Sequence, residues 1–291
     1  MKNKTIVKIL VTGADGFIGK NLCLRLREEA NIEISTFLRA DSDSILEHKL
    51  VNTDVIVHLA GENRPESSAM FHKINTGLTV KICNALSSLD SPIPIVFSSS
   101  AQAGTDNPYG KSKLAAEEAL IKLSQKNKNP VAIYRLPGIF GKWARPYYNS
   151  VVATFCYNIA HGLPIEISDP KRRLRLAYID DVVKSFINFI RNPSLGVNKA
   201  TITPEYQITL GELADQITVF KNSRTTLVTE RVGEGVSRAL YATYVSYLPL
   251  DEFSYHLPMY SDERGIFVEM LKTHDSGQFS FFTAKPGITR G

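Results

Sequence analysis

Gly13-Ala14-Asp15-Gly16-Phe17-Ile18-Gly19 follows the β-branched run from Thr5 to Thr12 and opens into a helical pattern carried by Leu22, Leu26 and Ala30. A strand, a glycine turn and a helix N-terminus in that order aim backbone N–H groups and the positive helix end at one spot, which suits a dinucleotide pyrophosphate. The glycines divide the work: Gly13 makes the tight turn, Gly16 lets the backbone approach phosphate, and Gly19 lets the helix lie close on the strand. The spacing is GxxGxxG, and its place at the first strand–helix unit gives it weight.

Outward from that turn, strands are predicted at Glu33 to Leu38, Val55 to Leu59, Ile93 to Phe97 and Val131 to Tyr134, with helices at Met70 to Leu89 and Tyr109 to Lys126. Strands alternating with helices imply an α/β fold, a doubly wound parallel sheet of the NAD(P)-binding Rossmann kind, with ligand at the carboxyl ends of the strands. From Gly141 the pattern loosens into Pro, Tyr and Arg-rich loops with helices expected at Ser150 to His161, Asp180 to Arg191, Leu210 to Phe220 and Val236 to Tyr247. A smaller substrate lobe is expected within 141–250, and 1–250 as one reductase-like domain. Near Asp251 the composition changes again: Ile266 to Leu271 and Gln278 to Thr283 read as strands around an Asp275-Ser276-Gly277 turn. Residues 251–291 hold too few strands to close a barrel or roll, so the chain is expected to stop inside a second, β domain.

At 291 residues the chain can bury a full core, and 43% hydrophobic with 22% charged residues is ordinary for a globular enzyme. No apolar run approaches the roughly 20 residues that span a bilayer, so no membrane partner and a cytoplasmic setting are expected. Cys23, Cys83 and Cys156 form no CxxC pair and the six histidines show no HxH or HxxxH spacing, so no metal site is expected. The net charge of +5 is scattered apart from Lys171, Arg172, Arg173 and Arg175, which favours anionic small molecules over nucleic acid.

Ser98-Ser99-Ser100 ends the Ile93 strand, where hydroxyls would reach the cofactor cleft, and Tyr109 and Lys113 lie one helical turn apart. Carbonyl reduction needs a held nicotinamide, a donor on the oxygen and an acid to quench the alkoxide. Ser100 suits the donor and Tyr109 the acid; Lys113 is expected to ease loss of the Tyr109 proton and to bond the nicotinamide ribose. The second strand ends in Leu38-Arg39, without the acid that holds a ribose 2′-hydroxyl. Arg39, with Ser42 or Ser44, suits a 2′-phosphate, hence NADPH, although Asp41 or Asp43 could turn toward the ribose. His58 reads as a satisfied core histidine, and Asn75 as a support for the site or a packing residue.

The glycine turn, Asp54 with His58-Leu59-Ala60-Gly61, the serines at 98–100 and YxxxK at 109–113 together resemble the extended short-chain dehydrogenase/reductases that act on nucleotide sugars. Asn63-Arg64-Pro65, Asp106-Asn107-Pro108-Tyr109, Phe140-Gly141-Lys142-Trp143, Tyr148-Asn149-Ser150 and Lys285-Pro286-Gly287-Ile288-Thr289 are similar to a capsular-polysaccharide branch of that family, over the whole chain. The branch couples an NADPH-dependent reductase to a zinc cupin that epimerises C-3. The resemblance implies a UDP-4-keto-6-deoxy-hexosamine substrate, reduced at C-4 to UDP-2-acetamido-2,6-dideoxy-L-talose on the way to UDP-N-acetyl-L-fucosamine. It also implies a homodimer, with zinc expected only in a cupin portion beyond residue 291.

On that resemblance Asp15, Phe17, Ile18, Leu59, Ala60, Gly61 and Ser98 join the glycines and Arg39 at the cofactor. Arg64, Ser100, Lys142, Tyr148, Asn149 and Arg175 are the candidate substrate contacts. Pro137-Gly138 departs from the family pattern, which has Asn after that proline. Three other readings stay open: an NAD-dependent 4-epimerase, a 4,6-dehydratase, and a noncatalytic NADP-sensing or assembly protein. Ala101-Gln102 after Ser100 lacks the acids elimination would want.

Overall fold

The computed structural model describes residues 6–288 except 66 and 90. Thr5 and Thr289, parts of two predicted segments, lie outside the described residues. In chain order the elements are β1 (Val7–Thr12), α1 (Phe17–Arg27), β2 (Ile32–Phe37), α2 (Asp43–Val51), β3 (Val55–His58), α3 (Ser68–Phe71), a π-helical turn (His72–Thr76), α4 (Gly77–Ser87), β4 (Ile95–Ser100), α5 (Pro108–Asn127) and β5 (Val131–Leu136). They continue with β6 (Gly138–Phe140), α6 (Val151–Ala160), β7 (Arg173–Tyr178), α7 (Ile179–Arg191), β8 (Val197–Ala200), β9 (Tyr206–Thr209), α8 (Leu210–Thr226), α9 (Gly235–Val245), β10 (Met259–Asp262), β11 (Gly265–Lys272) and β12 (Gln278–Phe282).

The chain divides into two compact units: Met1–Ile139 with Ala177–Glu205, and Phe140–Leu176 with Tyr206–Gly291. The first is built on a six-stranded sheet in the order β2-β1-β3-β4-β5-β8, all pairs parallel. Its central strands are apolar on both faces, as strands covered by helices on each side must be: Ile9, Leu10, Val11, Ile56, Val57, Ile95 and Val96 are buried. Helix α7 covers it with one apolar stripe, Val182, Val183, Phe186, Ile187 and Ile190, and starts with Asp180 and Asp181 at its positive end. Strand order reverses between β1 and β3, so the turns after both open on the crevice where doubly wound sheets bind ligands.

Several predicted elements change form. The single helix expected over Met70 to Leu89 is α3, a π turn and α4; a wider turn accommodates the bonds that Asn75 makes outside the helix. Helix α2 was not anticipated, because its apolar spacing is poor; Ser42 caps it and only Leu46 and Leu50 are buried. Strand β8 was missed as well, since Val-Asn-Lys-Ala at a sheet edge is largely exposed.

In the second unit β7 pairs antiparallel with β9, placing Arg173 and Arg175 on exposed positions and burying Leu176. Helix α8 opens with a capping box, Thr209 and Glu212. Strands β10, β11 and β12 form an antiparallel sheet, one strand more than predicted there. Backbone bonds of Thr229 and Leu227 with Lys272 tie this sheet to the end of α8. Among the described residues no helix is long and apolar enough to cross a membrane, and no group of three or more His, Cys, Asp or Glu side chains could hold a metal ion.

Candidate active site

The turn after β1 is shaped for close approach. Gly13 has φ of +72°, and a Cβ there would meet the Ala60 nitrogen at 2.7 Å; a Cβ on Gly19 would meet the Gly13 carbonyl oxygen at 2.2 Å. Gly16 caps α1 with no side-chain bond, so the first-turn N–H groups carry no competing cap. Asp15 and Gly16 are exposed, Phe17 and Ile18 half-buried, Gly19 buried. This cradle fits a dinucleotide pyrophosphate.

The turn after β3 is fastened to the same place. The Ala60 N–H donates to Thr12 Oγ1 (3.1 Å), which donates to His58 Nδ1 (2.7 Å). His58 Nε2 then carries its proton to Thr79 Oγ1 (2.9 Å), whose hydroxyl donates to the Asn75 carbonyl. Burial, aided by the nearby Lys113 charge, lowers the His58 pKa to about 3, so the ring is neutral and serves as a structural link. Asn75, aimed by the π turn, accepts from the Glu62 N–H (2.7 Å) and donates to the Glu62 carbonyl and to Ser112 Oγ (3.1 Å). It supports the loop rather than merely packing. A Cβ on Gly61 would meet Asn75 Oδ1 at 3.1 Å and Lys113 Nζ at 3.2 Å, so a side chain there would press on both.

Helix α5 brings in the tyrosine and lysine. Asn107 caps it by accepting from the Gly110 N–H (2.7 Å), with Pro108 in its first turn. Gly110 went unremarked in the sequence, yet a Cβ there would meet the Gln102 carbonyl oxygen and Thr105 Oγ1 at 2.4 Å. Its absence lets the loop after β4 press on the helix start. A glycine inside a predicted helix was the available signal.

Strand alternation sorts the three serines. The Ser100 hydroxyl lies close enough to the Tyr109 phenol to act on its proton, and it accepts from the Gln102 N–H. Ser98 donates weakly to the His58 carbonyl (3.4 Å), and its own carbonyl receives Lys113 Nζ (2.9 Å). Ser99 turns to the opposite face and donates to Glu117, correcting the expectation that all three hydroxyls face the cleft.

The expected action of Lys113 on Tyr109 is also corrected. Burial holds the Tyr109 pKa above the ordinary phenol range, with the Ser100 hydroxyl acting the other way. Lys113 is bonded to the Ser98 carbonyl; burial lowers its pKa to about 8, opposed by Glu117. Tyr109 is thus a protonated phenol, with Phe71 edge-on at 5.7 Å.

Arg39 stands exposed after β2. Asp41 is bonded to the Leu38 N–H (3.0 Å) and Lys49 (3.0 Å), and Asp43 pairs with Lys81. Leu59 lies beneath Thr12, its N–H donating to that carbonyl (3.1 Å). Arg64 is exposed beyond Gly61, where its N–H meets Glu62 Oε1.

The first unit therefore gathers the glycine turn, Gly61, Ser98, Ser100, Tyr109 and Lys113. Lys142, Tyr148, Asn149 and Arg175 belong to the second unit. There Lys142 Nζ lies 5.2 Å from the Trp143 ring centre, and Tyr148 lines a cleft of about 550 Å³ with Arg145, Tyr147 and Tyr157.

A glycine-cradled crevice with a Ser, Tyr and Lys at its sheet end defines a short-chain dehydrogenase/reductase of the extended kind, and the chain belongs to the NAD dependent epimerase/dehydratase family, whose model matches residues 9–203. A polysaccharide biosynthesis C-terminal domain matches residues 260–291. The chain is 52% identical over 285 residues to a UDP-2-acetamido-2,6-beta-L-arabino-hexul-4-ose reductase of Pseudomonas aeruginosa, covering 98% of this chain and 77% of that protein. Among solved structures it is similar to the capsular polysaccharide assembling protein CapF from Staphylococcus aureus, with TM-score 0.88 and 42% identity over 97% of this chain and 77% of that one. WbmF of Bordetella bronchiseptica, solved with NAD+ and UDP, shares the fold at TM-score 0.71 and 17% identity, over 83% of this chain and 92% of that one.

Proposed function

We propose that this chain is the NADPH-dependent reductase of a UDP-4-keto-6-deoxy-hexosamine, converting its C-4 ketone to the alcohol of UDP-2-acetamido-2,6-dideoxy-L-talose. The observation that carries the reading is the placement of Tyr109 near Ser100 and one turn before Lys113, whose ammonium is anchored on the Ser98 carbonyl beside Gly61. The substrate follows from the similarity to the Pseudomonas aeruginosa reductase.

When bound, reduced nicotinamide supplies the hydride that C-4 accepts. Gly13, Gly16 and Gly19 would hold its pyrophosphate, Leu59, Ala60 and Gly61 would line its path, and Lys113 would hold its ribose. Ser100 donates to the ketone oxygen, and Tyr109 gives that oxygen a proton as the alkoxide forms. The raised pKa suits this role, because the phenol keeps its proton until a stronger base, the alkoxide, develops against it. Preorganised donors at such an oxygen lower the barrier by about 3 to 4 kcal/mol each. Arg64, Lys142, Tyr148, Asn149 and Arg175 are assigned to the sugar and diphosphate.

Arg39 favours the 2′-phosphate cofactor, since the two acids near it are bonded elsewhere. Titrating NADPH and NADH against the wild type and Arg39→Ala tests this. NADPH affinity should fall about 10 to 100-fold in the variant, the worth of a charged hydrogen bond, with NADH nearly unmoved. Equal losses for both would refute it. In the same reading 1–250 is the reductase domain and 251–291 the opening of a cupin-like domain. A homodimer belongs to the reading through the family resemblance alone, and a cytoplasmic setting through the lack of a membrane-spanning apolar run in the sequence.

A further inference from the structure

The reductase reading uses Tyr109 and Lys113, and a third polar residue continues their line. Glu117 follows Lys113 by four residues on the buried face of α5, its side chain 2% exposed. A carboxylate this dry needs strong partners. Arg135 on β5 supplies a fork, Nε to Oε1 at 2.9 Å and Nη2 to Oε2 at 2.7 Å, and Ser99 donates from β4. Arg135 itself is 45% exposed, so water solvates its charge while the carboxylate faces the interior.

Resting on that reading, we propose that Glu117 is a positioning residue for the reaction: its clamped carboxylate keeps Lys113 in the ammonium form beside Tyr109. The groups facing the lysine explain why such help is needed. From β4 come the Ser98 carbonyl and the Phe97 ring, 5.2 Å from Nζ. From β3 comes His58, whose ring is neutral, and beside Gly61 comes the uncharged Asn75. From α5 come neutral Tyr109 and the charged Glu117, which supplies the opposing charge that acts on the ammonium. Burial alone drives the lysine toward the neutral amine, which could not bond a ribose as a cation.

The test is an NMR titration of the Lys113 Cε resonance in ligand-free protein carrying 13C-lysine, assigned by its loss in Lys113→Met. In Glu117→Gln the midpoint should fall by about one unit or more, the usual worth of a close opposite charge, and in Glu117→Asp it should stay near wild type. The alkaline limb of kcat should move down with it in Glu117→Gln. An unmoved midpoint in folded Glu117→Gln, or equal shifts in both variants, overturns the proposal. Where Glu117→Gln does not fold, Glu117→Leu decides, since it removes the charge and leaves no buried polar group to satisfy while the half-exposed Arg135 stays solvated. The midpoint should fall there too, and an unmoved midpoint in the folded variant overturns the proposal. NADPH consumption by the wild type, followed alongside, tests the reductase reading separately, because the titration needs neither cofactor nor substrate.

Discussion

Tyr109 sits where a phenol is costly to ionise, with Ser100 close by. Replacing it by Phe keeps the ring against Phe71 and removes the proton. Turnover should drop about 10² to 10⁴-fold, the usual worth of a positioned acid, with NADPH affinity largely kept. Steady-state rates beside a fluorescence titration check this; equal loss of both would point to misfolding. Gly13→Ala makes the complementary case. At φ of +72° and 2.7 Å from the Ala60 nitrogen, a methyl group strains the turn by about 1 to 3 kcal/mol. NADPH binding should weaken at least about tenfold, while the Tyr109 and Lys113 side chains are untouched.

The junction of β1, β3 and α4 depends on neutral His58 between Thr12 and Thr79. Its folded pKa, about 3, lies below the ordinary 6.5, so between those values the unfolded chain binds the extra proton. Its contribution to stability is fully present above pH 6.5 and drains away as pH falls toward 3. Urea unfolding across that window should show a steep loss in wild type and a flatter one in His58→Gln; parallel slopes would mean the ring is not buried neutral. At this scale the sequence is partly legible. Strands β1, β3, β4 and β5 announced themselves because buried parallel strands are largely apolar runs, whereas β2, with only Phe37 buried, was legible mainly from its β-branched residues. Polar β8, poorly patterned α2 and the π turn did not, being set by neighbours across the fold. Tyr109 and Lys113 were visible as a spacing. The Glu117 clamp was not, since Ser99 and Arg135 meet it only through sheet pairing of β4 with β5.

At the scale of the molecule, the cradle, Arg39 and the reacting groups all lie in the first compact unit, which therefore carries every group the proposed reading assigns to the cofactor. A ligand that meets only the folded chain adds about 2.7 kcal/mol at a hundredfold excess over its Kd. NADPH should therefore raise the melting midpoint, NADH less at equal concentration, and Arg39→Ala should narrow the gap. No rise with either would leave the cradle without a ligand. The candidate sugar contacts were legible only through resemblance, because Lys142, Tyr148, Asn149 and Arg175 come from loops, a helix start and a strand without shared periodicity.

The most direct measurement supplies NADPH bearing deuterium at the transferable nicotinamide position together with a UDP-4-keto-6-deoxy-hexosamine, and reads the product by NMR. The account predicts deuterium at C-4 of the sugar, one NADPH oxidised per product formed, and neither in Tyr109→Phe. Sugar converted with the label still on the cofactor, or NADPH left unoxidised by the wild type, would contradict it.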